Sequence, residues 1–218
     1  VITLSYSQQI WERFIVVEGM DGAGTTTQSN LLEANLRHRG WDVFASMEPT
    51  AGLIGTMIKQ IMRGRLRAAA TREHTERQLA FLFAADRQDH LHNDVDGIAG
   101  QLARGPRAVA LTTRYLFSSH VYNGSSPEMR LLVNRLNEDF PLPQLVIYLH
   151  VPLSVAMARL ASREVREYYE NEEELARVSK AYDAALAPLG DRVLRFESVG
   201  DPRELAERIA EQVHQRLS

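Results

Sequence analysis

The chain has 218 residues and a formal net charge of −3, with 44% hydrophobic and 24% charged residues. That length suits one α/β domain with a substantial core, the charge gives no overall basic field for nucleic acid, and no apolar run is long enough to cross a bilayer. The lack of cysteine excludes disulfides, thiolate nucleophiles and Cys-type zinc sites, and the seven histidines show no HExxH-type spacing. The expectation is a cytoplasmic protein with no nucleic-acid or membrane partner.

Residues 1–13 carry no secretory signal and read as a short N-terminal extension before a single domain at 14–218. The apolar run 14–18 predicts a buried first strand, and residues 26–39, closed by Gly40, predict a helix. A second strand follows at 41–46, then a helix at 54–63 ended by Gly64, and a long helix at about 75–93. Further strands are expected at 108–112, 145–149 and 192–197, interleaved with helices at 127–138, 153–162, 172–187 and 202–217. Short β-branched runs alternating with helical patterns predict a parallel sheet with helices on both faces. No repeat, low-complexity tract or linker marks a domain boundary.

Between the first strand and the helix after it, Gly19 and Gly24 frame a GxxxxG turn that runs on into Thr25, Thr26 and Thr27. Such a turn aims backbone N–H groups inward at the positive end of a helix, where phosphate oxygens bind. The Lys that usually follows the second glycine is Thr25 here, and the next position, where a hydroxyl binds Mg²⁺, is Thr26. Two charge-rich stretches, 62–75 and 159–174, stand out from the alternating pattern.

Four segments in order, FIVVEGMDGAGTTTQ at 14–28, EPTAGLIG at 48–55, LFAADRQDH at 82–90 and TRYLFSSHVYN at 113–123, together resemble the thymidylate (dTMP) kinases, and LVIYLHVPLSVAMARL at 145–160 resembles the segment leading into that family's lid. The resemblance implies a P-loop NTPase-type three-layer α/β/α fold with a five-stranded parallel sheet and a small lid at about 159–174. It implies transfer of the ATP γ-phosphate to dTMP with Mg²⁺, and a homodimer. Gly19, Gly22, Ala23, Gly24, Thr25, Thr26 and Thr27 would hold ATP, with Thr26 as the metal ligand and adenine near the loop 198–202. On the acceptor side it implies Asp21 beside the sugar, Glu48 and Pro49, Phe83 stacked on the base, Arg87 on the base and acceptor-phosphate side, and Arg114 on the acceptor phosphate. Ser118, Ser119, Asn123 and Tyr122 would line the sugar wall. Asp21, Arg114 and the lid residues Arg163 and Arg166 would serve catalysis.

The chain departs from the family pattern at Thr25 for Lys, Met47 for Arg, Thr113 for Asp and His150 for Asp. A catalytically impaired nucleotide-binding module and a deoxynucleoside kinase are the alternatives. The flexible stretch with Arg63, Arg65 and Arg67 is a second source for the missing cation.

Overall fold

The structure, a computed structural model, describes residues 6–7, 9–161 and 172–217. Five strands, β1 (Ile10–Glu18), β2 (Asp42–Met47), β3 (Ala108–Thr113), β4 (Leu142–His150) and β5 (Val193–Glu197), form one sheet in the order β2-β3-β1-β4-β5. Every pairing is parallel. Successive residues Phe14, Ile15, Val16 and Val17 at the centre of β1 are all buried, so both faces of the sheet are covered. This is why the strand reads as a continuous apolar run instead of an alternating one.

The covering helices are α1 (Thr25–His38), α2 (Leu53–Met62), α3 (Arg72–His92), α4 (Ile98–Leu102), α5 (Leu116–Tyr122), α6 (Pro127–Asn137), α7 (Leu153–Ala161), α8 (Glu172–Leu186) and α9 (Pro202–Leu217). α1 packs on α9, α5 on α6 and α8, and α3 on α2, α4 and α6. This is the expected α/β architecture, with a parallel five-stranded sheet flanked by helices.

Three local expectations change. β1 starts at Ile10 instead of residue 14, because its first residues pair with Leu142 and Pro143 of β4 before a register shift between Trp11 and Ile15. Arg13, at φ 59°, sits in that irregularity and interrupts the apolar run. The long third helix begins at Arg72, where Thr71 caps it by accepting from the His74 N–H at 3.2 Å. The short helices α4 and α5 have no counterpart among the expected elements, since five and seven residues leave little room for a periodic signal.

The order of the strands determines where a cleft can form. The chain runs β1, β2, β3 on one side of β1 and then crosses to β4 and β5 on the other, so a switch point opens at the carboxyl end of β1. Val17 of β1 and Met47 of β2 both align with Thr113 of β3, and Glu18 aligns with Tyr148 of β4. The segments that leave these strands therefore emerge at one edge.

Candidate active site

At that edge lies a cleft of about 360 Å³. Its walls bring together Asp21, Gly22, Gly24, Thr25, Thr26 and Thr27 from the β1–α1 connection, Glu48 and Pro49 after β2, Phe83 and Arg87 from α3, and Arg114, Ser118, Ser119, Tyr122 and Asn123 from the end of β3 and α5. Gly19 and Ala23 lie behind the wall. Ala23 is fully buried, gives its N–H to the Met20 carbonyl at 3.0 Å, and accepts at its own carbonyl from Ser198 Oγ at 2.6 Å. Arg163 and Arg166 lie outside the described residues.

The β1–α1 turn is built for an anion. Gly24, at φ 85°, turns the chain into α1, and no side chain caps the helix. The first N–H groups of α1 thus have no intrahelical partner and face the cleft end of the helix dipole. Gly22, at φ 84°, combines a left-handed conformation with close packing, since a Cβ there would stand 2.8 Å from the Ala156 carbonyl oxygen of α7. Arg159 of α7 fixes the same turn, donating to the Gly22 carbonyl at 3.0 Å and to the Ser198 carbonyl at 3.0 Å.

Across the cleft, Arg114 adopts φ 68°, an uncommon conformation for a side-chain-bearing residue, while its N–H bonds to the Val17 carbonyl at 2.9 Å. Its guanidinium donates to Asp21 Oδ1 at 2.5 Å and to Ser118 Oγ at 3.2 Å, and packs over the Tyr122 ring with 5.2 Å to the ring centroid. The Tyr122 hydroxyl donates to Asp21 Oδ2 at 3.0 Å. Burial works against the Arg114 charge, yet Tyr122, Asp21, Tyr182 and Glu18 outweigh it and raise the pKa further. Arg114 is a fixed cation.

Beneath this pair is Glu18, which is fully buried and which the sequence reading did not single out. Its Oε1 accepts the N–H groups of Tyr115 at 2.9 Å and Ser118 at 3.2 Å, and its Oε2 accepts the hydroxyls of Ser118 at 2.7 Å and Tyr182 at 2.9 Å. Burial pushes its pKa up, while Arg114 and these hydrogen bonds pull it down. A Glu closing the apolar run of residues 14–17 was the available signal.

α3 contributes Phe83 and the polar residues Asp86, Arg87 and His90, spaced at helical intervals. Phe83 is half-buried at the cleft wall. Arg87 is 1% exposed and lies at the cleft floor, donating to Glu48 Oε2 through Nη2 at 2.6 Å and Nε at 3.0 Å, to Ser119 Oγ at 3.1 Å, and to Asn137 Oδ1. His90 joins Glu48 to Ser46, with contacts of 3.2 and 2.9 Å. The Asp86 carboxylate accepts the Thr50 N–H at 2.8 Å and its hydroxyl at 2.6 Å, so it holds the segment after Pro49. Lys59, from α2, also lines the cleft and donates to the Thr50 carbonyl at 3.0 Å.

The four departures have definite surroundings. Thr25 is buried at the first position of α1, and Thr113 donates its hydroxyl to Ser29 Oγ at 2.7 Å. Met47 is 45% exposed and lines the cleft. His150 is paired with Glu197 at 2.8 Å where β4 and β5 end.

A glycine-framed turn opening an uncapped helix, at the switch point of a parallel sheet and facing fixed Arg and Asp side chains, defines a P-loop α/β protein of the nucleotide-kinase class. A family model described as Thymidylate kinase matches residues 17–209. The "Putative thymidylate kinase" of Treponema pallidum is 37% identical over 175 residues, covering 80% of this chain and 79% of that protein. The "Thymidylate kinase" of Akkermansia muciniphila is 32% identical over 216 residues, covering 98% and 97%. The "Putative thymidylate kinase" of Aeropyrum pernix is 34% identical over 190 residues, covering 86% of each. The chain belongs to the thymidylate kinase family.

Proposed function

We propose that the protein transfers the γ-phosphate of ATP to dTMP, giving dTDP and ADP. The observation that carries this reading is the meeting, in one cleft, of the uncapped N-terminus of α1 with the Arg114–Asp21–Tyr122 cluster. The first suits the donor phosphates, and the second suits the acceptor phosphate and sugar.

In this reading the backbone N–H groups from Gly22 to Thr27 hold the β- and γ-phosphates. Arg114 binds the dTMP phosphate and aligns one of its oxygens with the γ-phosphorus. That oxygen forms the new P–O bond as the bond to the β-phosphate bridging oxygen breaks, and ADP leaves with the bridging oxygen. No enzyme nucleophile is required, so catalysis is positioning plus stabilisation of charge. Asp21, held on both oxygens by Arg114 and Tyr122, faces the sugar, and Phe83 offers a ring to the base while Arg87 fixes the floor through Glu48 and Ser119. Arg163 and Arg166 complete the proposal as lid cations, on the strength of the family resemblance.

Mg²⁺ bound with ATP would draw on the Thr26 hydroxyl, and it would neutralise charge on the β- and γ-phosphates. Among the described residues there is no cluster of three His, Cys, Asp or Glu side chains able to hold an ion alone. That fits a cation bound mainly through substrate phosphates and water. A homodimer belongs to the same proposal: α3 and the two helices packed on it, α2 and α6, expose Met57, Phe81 and Leu131. No helix among the described residues is long and apolar enough to cross a membrane, and the proposed setting is the cytoplasm.

The test is ADP formation from ATP and Mg²⁺ with dTMP, dUMP, dCMP or thymidine as acceptor. The reading requires turnover with dTMP well above the no-acceptor rate. ADP formation with thymidine alone would make the protein a nucleoside kinase, and none with any acceptor would make it a binding module.

A further inference from the structure

We infer that Tyr182 of α8 is a positioning residue for phosphoryl transfer, holding Arg114 in its working arrangement from behind the cleft wall. The inference rests on the kinase reading above and extends it to a residue that does not line the cleft.

Tyr182 is fully buried, and its ring lies against Tyr148 of β4 with centroids 5.1 Å apart. Its hydroxyl is 2.9 Å from Glu18 Oε2, 3.1 Å from the Gly19 carbonyl, 3.2 Å from Ser118 Oγ and 3.4 Å from Arg114 Nη1. One hydroxyl therefore touches the end of β1, the first residue of the turn, α5 and the acceptor-side arginine. Arg114 donates to it, the Ser118 proton is committed to Glu18 Oε2, and its own proton goes to Glu18, the nearer of Glu18 and the Gly19 carbonyl. The carboxylate of Glu18 then receives four hydrogen bonds, enough to keep a buried anion in place opposite Arg114.

Arg177, on the same helix, adds a second tether by donating to the carbonyls of Val121 at 2.9 Å and Tyr122 at 3.2 Å. α8 thus grips α5 near both ends, and α5 carries the Tyr122 that holds Asp21. Among the described residues, the titratable or charged groups facing Glu18 are Arg114 and Tyr115 from the end of β3, Tyr182 from α8, Tyr148 from β4 and Tyr6 from the N-terminal segment.

The experiment compares wild type and Tyr182→Phe, as full-length chains, for steady-state kinetics across pH and for ATP and dTMP binding. Phe keeps the ring and removes only the hydroxyl. Expected is a fall of about tenfold in kcat/KM for dTMP with ATP affinity changed less than about twofold. The acid limb of the pH profile should move to higher pH, because Glu18 loses a donor to its charged form. A lower melting temperature with kinetics and pH profile overlaying wild type would overturn the inference. If Tyr182→Phe does not fold, Arg177→Met must give the same selective loss at dTMP, and wild-type kinetics there would equally overturn it. An inactive wild type would sink the kinase reading and this inference together, whereas an active wild type matched by its variants would sink this inference alone.

Discussion

Asp21 and Arg114 are 93 residues apart in the chain, yet they meet at 2.5 Å because β1 and β3 are adjacent parallel strands that end at the same level. The left-handed backbone at Arg114 turns its side chain back over the end of β1 toward Asp21 instead of along the strand direction. A backbone outlier of this kind persists only where its surroundings over-determine it. Here those are the Val17 carbonyl, Ser118, Tyr122 and Asp21.

Arg114→Lys should therefore lose function without losing the fold. Lys keeps the charge but lacks the planar fork whose separate N–H groups reach Asp21 and Ser118 and leave others for a phosphate. The expected result is a fall in kcat/KM for dTMP of about 10²- to 10³-fold, with ATP affinity nearly unchanged. Equal losses for both substrates would place Arg114 on the donor side or in the scaffold.

Phe83→Ala separates a base platform from a core residue. The ring is half-buried, with one side on the small cluster of Ile58, Ile61 and Leu79 and the other on the cleft. Loss of a stacking surface should weaken dTMP binding by about 1–3 kcal/mol while leaving ATP binding alone. Calorimetric titration of each nucleotide checks this, and a parallel fall in ATP affinity would assign the ring to packing only.

Much of this was legible in the sequence, and the reasons differ by element. The strands after β1 and the longer helices announced themselves by apolar runs and by glycine stops, and the turn from Gly19 to Thr27 by its glycine spacing. Phe83 and Arg87 could be placed on one helical face by their spacing of four. What could not be read is who answers them: Arg87 finds Glu48, Asn137 and Ser119, and Asp86 finds Thr50, partners 32 to 50 residues distant. Tyr182 and Glu18 are 164 residues apart, and no local pattern links them. The start of β1 was hidden because Glu12 and Arg13 interrupt the apolar run at a register shift.

Arg87→Met should cost stability more than any change at the cleft rim. It strips the buried Glu48 carboxylate of its guanidinium partner and leaves the His90 contact, and breaking such a pair costs about 3–5 kcal/mol. Urea denaturation should show this, and Glu48→Gln added to Arg87→Met should recover part of it. A loss below about 1 kcal/mol would mean that the pair behaves as a surface ion pair.

His120 predicts an acid-side stability loss. Burial, with Arg87 nearby, lowers its pKa to about 3 from 6.5. Between those values the unfolded chain binds a proton that the folded chain does not, so stability falls as pH drops through that window, by about 1.4 kcal/mol per unit. Glu18, raised by burial, acts in the opposite sense above pH 4.5. It is common to wild type and variant and cancels in their difference. His120→Asn should therefore show a shallower decline on acidification than wild type, measured by denaturant midpoints at a series of pH values. Parallel curves would refute the assignment.

Thr25→Lys tests whether the turn is the donor site at all. Thr25 is the first residue of α1 and is 8% exposed, and its Cγ2 lies 3.2 Å from where a Cβ on Gly19 would stand. A lysine here must run its stem out to the cleft, with its ammonium beside bound phosphate, since no carboxylate waits at Thr113, whose hydroxyl is on Ser29. Without nucleotide the added charge is partly desolvated and unpaired, so the variant should melt below wild type. With ATP the same charge gains a partner, so the variant should bind ATP at least as tightly as wild type and show a larger thermal shift on adding it. Turnover with dTMP should stay within about tenfold of wild type, because the ammonium meets ground and transition states alike. The charge-pair variant Thr25→Lys with Thr113→Asp should regain part of the lost melting temperature. If Thr25→Lys stays folded but loses ATP binding while dTMP binding is kept, the ammonium has no phosphate to meet, and the turn from Gly22 to Thr27 is not where ATP sits.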